Sequence, residues 1–261
     1  MKQTLKYVGI GLLGYVLFLA WLLPAKLGYS WMADGTADAS KRLGVYGIEG
    51  TVLSGRATRF DVGGYSFREL NWHFAPTELL FGKLGVQVAL KGDGSDAEFL
   101  VARRLTGGTA LEHVTGKIPM MDVLSMAKVP ALKMGGVLDL DLSSVQFAPG
   151  QIASLDGSLV WRAAATEFPR QLKLGDVKVR FDTTPQGVKG VLSDGGGPLE
   201  AQGELLVAQD GKVSFKGKFA AREGPSSSLA QSLSMLGSPN AQGKVDVVYN
   251  GNLADLGFVS R

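Results

Sequence analysis

The sequence predicts an all-β protein with a few short helices, set behind one N-terminal transmembrane helix. Three observations carry this. Tyr7 to Leu23 is a seventeen-residue run without a charge, and no uncharged apolar run of that length recurs. Beyond it, apolar and polar residues alternate in short segments, the period of strands wetted on one face. Glycine supplies 36 of the 261 residues, about twice its usual share of roughly 7% and with no collagen-like period. Glycines between short apolar runs mark turns, and many turns imply many strands.

Extended through Pro24 and Ala25, the apolar run would rise roughly 28 Å as a helix at about 1.5 Å per residue. The hydrocarbon core of a bilayer is roughly 30 Å thick, so one crossing fits. Lys2 and Lys6 precede the run and Lys26 follows it. Tyr7, Tyr15, Phe18, Trp21 and Leu23 are the expected anchor residues, with Tyr7, Tyr15 and Trp21 at headgroup depth or one turn inside. A cleaved signal peptide shares the basic start and apolar middle, and Gly28-Tyr29-Ser30 loosely fits a small-x-small cleavage site. Its apolar middle is usually shorter, so the length of this run favours a retained span. The basic tip favours a cytoplasmic N-terminus and a body on the far side. The expected layout is therefore a tip and transmembrane helix over 1–26 and a small, polar, aperiodic juxtamembrane stalk over 27–44. Two β units follow, over 45–149 and 150–261.

From Val45 the texture alternates. Thr51-Val52-Leu53 is expected to begin a strand, Gly63-Gly64 to turn, and Tyr65 to Phe74 to form a second strand. Pro76 to Gly82 reads as one helical turn, with Pro near its start and Gly at its end. Val86, Val88 and Leu90 alternate with Gln87, Ala89 and Lys91, a half-buried strand. Lys91 to Gly94 turns, and Ala97 to Leu105 is the next strand. Pro119 followed by MMDVLSMAKV reads as a short amphipathic helix with Met121, Leu124 and Met126 or Val129 inward, stopped by Pro130. In the strand after it, Leu138, Leu140 and Leu142 share one face while Asp139 and Asp141 share the other.

Pro149-Gly150 is the expected boundary, because beyond it the chain starts again. Ile48-Glu49-Gly50-Thr51-Val52 is echoed by Leu155-Asp156-Gly157-Ser158-Leu159, and Lys83-Leu84-Gly85 by Lys173-Leu174-Gly175. Gly116-Lys117-Ile118 before one helix is echoed by Gly217-Lys218-Phe219 before another, expected over Ser226 to Leu236. Gly136-Val137-Leu138-Asp139-Leu140 is echoed by Gly243-Lys244-Val245-Asp246-Val247. The echoes keep their order, which points to two copies of one β unit. Val177, Val179 and Phe181 face one way and Lys178, Arg180 and Asp182 the other; Leu199, Ala201, Leu205 and Val207 repeat the device, as do Val213, Phe215 and Phe219. Such antiparallel meanders fold into a sandwich, a partial barrel or a trough.

Composition and motifs narrow the function. With 27 basic and 24 acidic side chains the net charge is +3, no footprint for nucleic acid, which wants basic residues clustered on one face. There is no cysteine, so no disulfide or thiolate metal site forms. His73 and His113 stand apart, without the three or four ligands that zinc needs. Asp139 and Asp141 lie between inward leucines and read as a solvated face rather than an acid–base pair. Gly9, Gly11 and Gly14 spell the dinucleotide fingerprint, but inside the apolar run and without a preceding strand. No nucleophile elbow, phosphate loop or zinc-protease motif occurs. The expectation is a non-enzyme, with no catalytic residue, cofactor or metal.

Two segments are more distinctive. Gly50-Thr51-Val52-Leu53-Ser54-Gly55-Arg56-Ala57 is bounded by glycines, and Leu70, Trp72, Pro76, Leu79, Leu80, Gly82 and Leu84 follow. Taken alone, each is a strand with its turn, Trp72 packing against a helical turn. Together, behind a basic tip and one span, they read G-T-V-x-S-G-x-A then L-x-W-x-x-x-P-x-x-L-L-x-G-x-L. That pattern resembles the type II secretion system protein N family, with Gly50, Thr51, Gly55, Trp72, Pro76, Leu79 and Gly82 as structural motif residues. Leu53 stands where many members of that family carry Trp. The resemblance implies a single-span inner-membrane protein with a periplasmic body, accessory to export of folded proteins and in contact with other type II secretion proteins. It implies no catalytic residue. The one-sided, duplicated β texture is also similar to AsmA-like proteins, which implies a lipid-binding trough as the alternative. The methionine-rich helix (Met120, Met121, Met126) would suit that role, since methionine adapts to varied apolar surfaces.

Overall fold

The computed structural model describes residues 7, 11, 15, 22–29, 43–105, 107–126, 133–148, 151–166, 172–222 and 227–252. Tyr7, Gly11, Tyr15 and Leu22 are helical, with both tyrosines and Leu22 exposed. Phe18, Trp21 and most of the expected span lie outside the described residues, as do Pro149 and Gly150. Among the described residues no helix is long and apolar enough to cross a membrane.

The body is mostly strand. β1 (Leu43–Tyr46), β4 (Arg59–Val62) and β5 (Tyr65–Phe67) form a small sheet in the order β1-β4-β5. Among the described residues all other strands belong to one antiparallel sheet. Its first members are β2 (Glu49–Gly50), β3 (Ser54–Ala57), β6 (Glu69–Ala75), β7 (Lys83–Lys91), β8 (Asp96–Arg104), β9 (Thr109–Pro119) and β10 (Met134–Ala148). They continue as β11 (Gln151–Thr166), β12 (Leu172–Thr184), β13 (Gly187–Asp194), β14 (Leu199–Ala208), β15 (Lys212–Ala221) and β16 (Val245–Asn252). Each strand pairs with the next in this order, so 13 strands form one meander with β2 and β16 at its edges. The sheet is open rather than a closed barrel. The residues on either side of 149–150 belong to the same sheet, in the β10–β11 pair.

The alternation read from the sequence runs through the registers as a single row. Directly paired residues are Ala57, Leu70, Leu90, Ala97, Gly116, Leu140, Leu159, Val179, Leu192, Gly203, Gly217 and Val247. Opposed residues share a face, so twelve strands present one apolar face. It is buried at its ends and half-buried between. At one end the small sheet packs Phe60, Val62 and Tyr65 around Phe67, Leu90 and Ala97. At the other, α2 (Ser228–Ser234) buries Leu229 and Leu233 against Leu172, Leu199, Ala201 and Val245. Leu140, Leu159, Val179 and Leu192 between them stay half-buried. Cα atoms of β11 and β13, two strands apart, approach within 8 Å. A flat sheet would hold them about 9.5 Å apart, so the sheet curls here.

Three expectations change. Thr51 to Leu53 is a turn rather than a strand start, closed by the Thr51 N–H donating to the Ser54 carbonyl at 2.8 Å. Tyr65 to Phe74 is split into β5 and β6, which belong to different sheets. The expected methionine helix is α1 (Met120–Met126), but Met121 faces solvent while Met126 packs against the Phe67 cluster. The short helix is held by its neighbours: Ser95 donates to Asp122 at 2.6 Å, and Gly63 (φ +67°) lies so near the Met126 carbonyl that a Cβ would come within 2.4 Å. Both α1 and α2 connect antiparallel neighbours, β9 to β10 and β15 to β16.

Candidate functional site

The two distinctive segments meet at one corner of the large sheet. β2 and β3 pair through Glu49–Arg56 and Gly50–Gly55, and β3 pairs with β6 so that Gly55 opposes Trp72. Gly50 has φ +91°, and a Cβ there would sit 2.6 Å from the Ser54 carbonyl oxygen. A Cβ on Gly55 would come within 2.4 Å of both the Trp72 ring and the Glu49 carbonyl oxygen. The indole therefore lies directly over a position that must lack a side chain. Its Nε1–H donates to the Thr51 carbonyl at 3.1 Å, and the Thr51 hydroxyl accepts from the Ser54 N–H at 3.2 Å. Phe74 donates its N–H to the Leu53 carbonyl at 2.6 Å, extending the β3–β6 pairing into the turn.

The same turn receives the end of the apolar run. The Val52 N–H donates to the Leu23 carbonyl at 3.0 Å, and Pro24 forms an antiparallel bridge with Thr51. Ala25 to Tyr29 then make a helical turn. Ala25 is buried with Ile48 and Ala57, and Tyr29, Val45, Leu70 and Trp72 pack around them. A Cβ on Gly28 would lie 2.7 Å from Val52 Cγ2. Sequence reasoning missed the roles of Ala25, Gly28 and Val52. Ala25 and Gly28 show locally only as small residues beside an apolar segment, since their partners Ile48 and Val52 lie 23 and 24 residues further along the chain.

Of the expected anchor residues, Tyr7 and Tyr15 are helical and exposed, and Leu23 is at the joint. The rest of the motif forms the adjoining hairpin tip. Pro76 occupies the first turn of a 3-10 helix over Pro76–Phe81, and Gly82 closes it at φ +70° with its N–H on the Leu79 carbonyl. The expectation that Trp72 packs as core against this turn is corrected: Trp72 covers Gly55, and the 3-10 helix has no buried residue. Leu79, Leu80, Phe81 and Leu84 are exposed.

Chemically the corner is a backbone joint with one surface ion pair, in which Arg56 Nε and Nη2 both donate to Glu49 Oε2, at 2.9 and 2.7 Å. His73 is exposed on β6 and His113 lies in a bulge of β9 at φ +53°. Among the described residues no three His, Cys, Asp or Glu side chains group as metal ligands.

Residues 41–248 match the family model described as "Type II secretion system (T2SS), protein N". The chain is 26% identical over 262 residues to the type II secretion system protein N of Aeromonas hydrophila, covering 97% of this chain and 100% of that protein. It is 27% identical over 258 residues to the protein of the same name from Vibrio cholerae serotype O1, covering 94% and 98% respectively. No solved structure gives a significant match.

Proposed function

Since this chain belongs to the type II secretion system protein N family, we propose that it is a non-catalytic, bitopic inner-membrane subunit of that machine. The chain through Leu23 forms the cytoplasmic tip and span, 24–29 the joint onto the body, and the strands from Leu43 onward the periplasmic β body, made of two related β units that divide at 149–150. The observation that carries this reading is the joint. The residue ending the apolar run is bonded into the turn of the family motif, through Leu23 and Val52. Gly50, Thr51, Gly55 and Trp72 thus serve to fix a membrane-crossing segment to a β body.

Other secretion subunits bind along the β16 edge of the sheet. An edge strand presents backbone N–H and C=O groups to a partner strand, and on β16 Val248 and Tyr249 are exposed, past Val245, which bridges Pro239. β2, at the opposite edge, has only two residues. Two experiments test this reading together: a clean deletion, and in-cell photocrosslinking from Val248. Lowered export of a secreted protein, with crosslinks to secretion subunits, is the expected result. Normal export without any such crosslink overturns it.

A lipid-binding trough is the second reading, favoured by the half-buried middle of the apolar row at Leu140, Leu159 and Val179. Native mass spectrometry of the purified protein tests it. Co-purifying phospholipid supports the trough, and lipid-free protein removes it.

A further inference from the structure

The hairpin tips at one end of the sheet differ in polarity along its width. The β2–β3 turn, where Leu23 joins, is on this end, because Ser54 opposes His73 near the end of β6. The Pro76–Phe81 tip comes next, and Lys83 opposite Arg104 puts the β8–β9 turn on the same end. The Leu105 N–H donates to the Gly82 carbonyl at 3.1 Å, tying those two tips together. Strand spacing of about 4.8 Å places the first tip only about 10 Å from the Leu23 joint.

These joined tips carry Leu80 at 85%, Phe81 at 73% and Leu105 at 68% exposure. Arg103 and Arg104 beside them are also exposed, while Glu78 is half-buried with its side chain against Gly85. Further along the same end the tips turn polar, with Pro185-Gln186 between β12 and β13 and Gln209-Asp210 between β14 and β15. Bulky apolar groups backed by arginines are the composition of a segment lying at a bilayer interface with anionic headgroups. Here they stand beside the exit of the apolar run.

We propose that Leu80, Phe81 and Leu105 dip into the outer surface of the membrane that the Tyr7–Leu23 run crosses, with Arg103 and Arg104 on anionic lipid headgroups. This rests on the anchored reading above and adds a second, interfacial contact. Two contacts fix the tilt of the sheet on the membrane, where one span alone would leave it free to swing.

The cysteine-free sequence allows single-cysteine probes in the full chain, reconstituted in vesicles of equimolar phosphatidylethanolamine and phosphatidylglycerol. A polarity-sensitive fluorophore is attached in turn to Leu80→Cys, Phe81→Cys, Tyr15→Cys and Gln209→Cys, with lipid-borne nitroxide or aqueous iodide as quencher. Nitroxide is expected to quench probes at positions 80, 81 and 15 several-fold more than at 209. The added double change Arg103→Glu/Arg104→Glu should lower quenching at 80 and leave 15 unchanged. Probes at 80 and 81 as open to iodide as the one at 209, with 15 still quenched by lipid, overturn the interfacial contact alone. Shielding of 80 and 81 from both quenchers means a protein covers them, and also overturns it. Failure of lipid to quench position 15 removes the anchored reading, and this inference with it.

Discussion

The backbone N–H of Val52 donates to the carbonyl of Leu23 at 3.0 Å, bonding the last residue of the long apolar run to a turn of the β body. Proline has no N–H to give. Val52→Pro should therefore loosen the joint by about 0.5–1.5 kcal/mol, the usual net worth of one such bond. The expected readout is faster limited proteolysis around residues 24–30, with an unchanged far-ultraviolet strand signal.

Gly55 sits beneath the Trp72 ring, so Gly55→Val should force the indole aside. Overpacking of this kind costs about 1–3 kcal/mol. Chemical denaturation should show a lower midpoint, and the tryptophan emission should shift as the Nε1–H leaves the Thr51 carbonyl. Trp72→Phe removes the donor without adding bulk, and should cost about 1 kcal/mol.

Asp194, the last residue of β13, is a charged node of the sheet. Arg222 donates to it at 2.5 Å, and the N–H groups of Gly196 and Ala201 donate at 2.9 and 3.0 Å. Burial works against the carboxylate's charge, but these donors outweigh it and hold its pKa below the ordinary value. A carboxylate lowered in this way stabilises the fold above its unfolded pKa of about 3.9, and the contribution is lost as pH falls through the folded value. Asp194→Asn should destabilise the protein by about 1.5–3 kcal/mol near neutral pH. Its denaturation midpoint should also lose part of the wild-type's fall below about pH 4. Asp61 behaves likewise at the small sheet, where hydrogen bonds from Arg59 and Ser66 hold it at about 2.

Ala163 is exposed in a bulge of β11 at φ +48°. The left-handed region costs a non-glycine residue roughly 1–2 kcal/mol, more than the roughly 0.5–1 kcal/mol that glycine adds in unfolded-chain freedom. Ala163→Gly should raise stability by about 0.5–1 kcal/mol, read as a higher denaturation midpoint.

Much of the sheet was legible because side-chain direction in a strand follows sequence parity. Val177, Val179 and Phe181 face one way whatever their neighbours are, and the predicted split from Lys178, Arg180 and Asp182 holds. The 3-10 turn was equally plain, since proline fixes its start and glycine its left-handed end. The candidate joint was legible only in part. Gly50, Gly55 and Trp72 stood out as a pattern, while the contacts that Leu23, Ala25 and Gly28 make with it did not.

The sequence by itself determined the strand-rich body, its one-faced strands, the apolar run and the positions of both short helices. It also carried the pattern by which the family is identified. Only the tertiary structure decided that thirteen strands share one open sheet, that Thr51–Leu53 turns to meet the apolar run, and that Met121 points outward. The physical reason is range. Periodicity and turn chemistry act between residues a few positions apart, whereas register and edge pairing are set by partners distant in the chain. Which tips share an end of the sheet, and which leucines stay in solvent there, follows from that pairing alone.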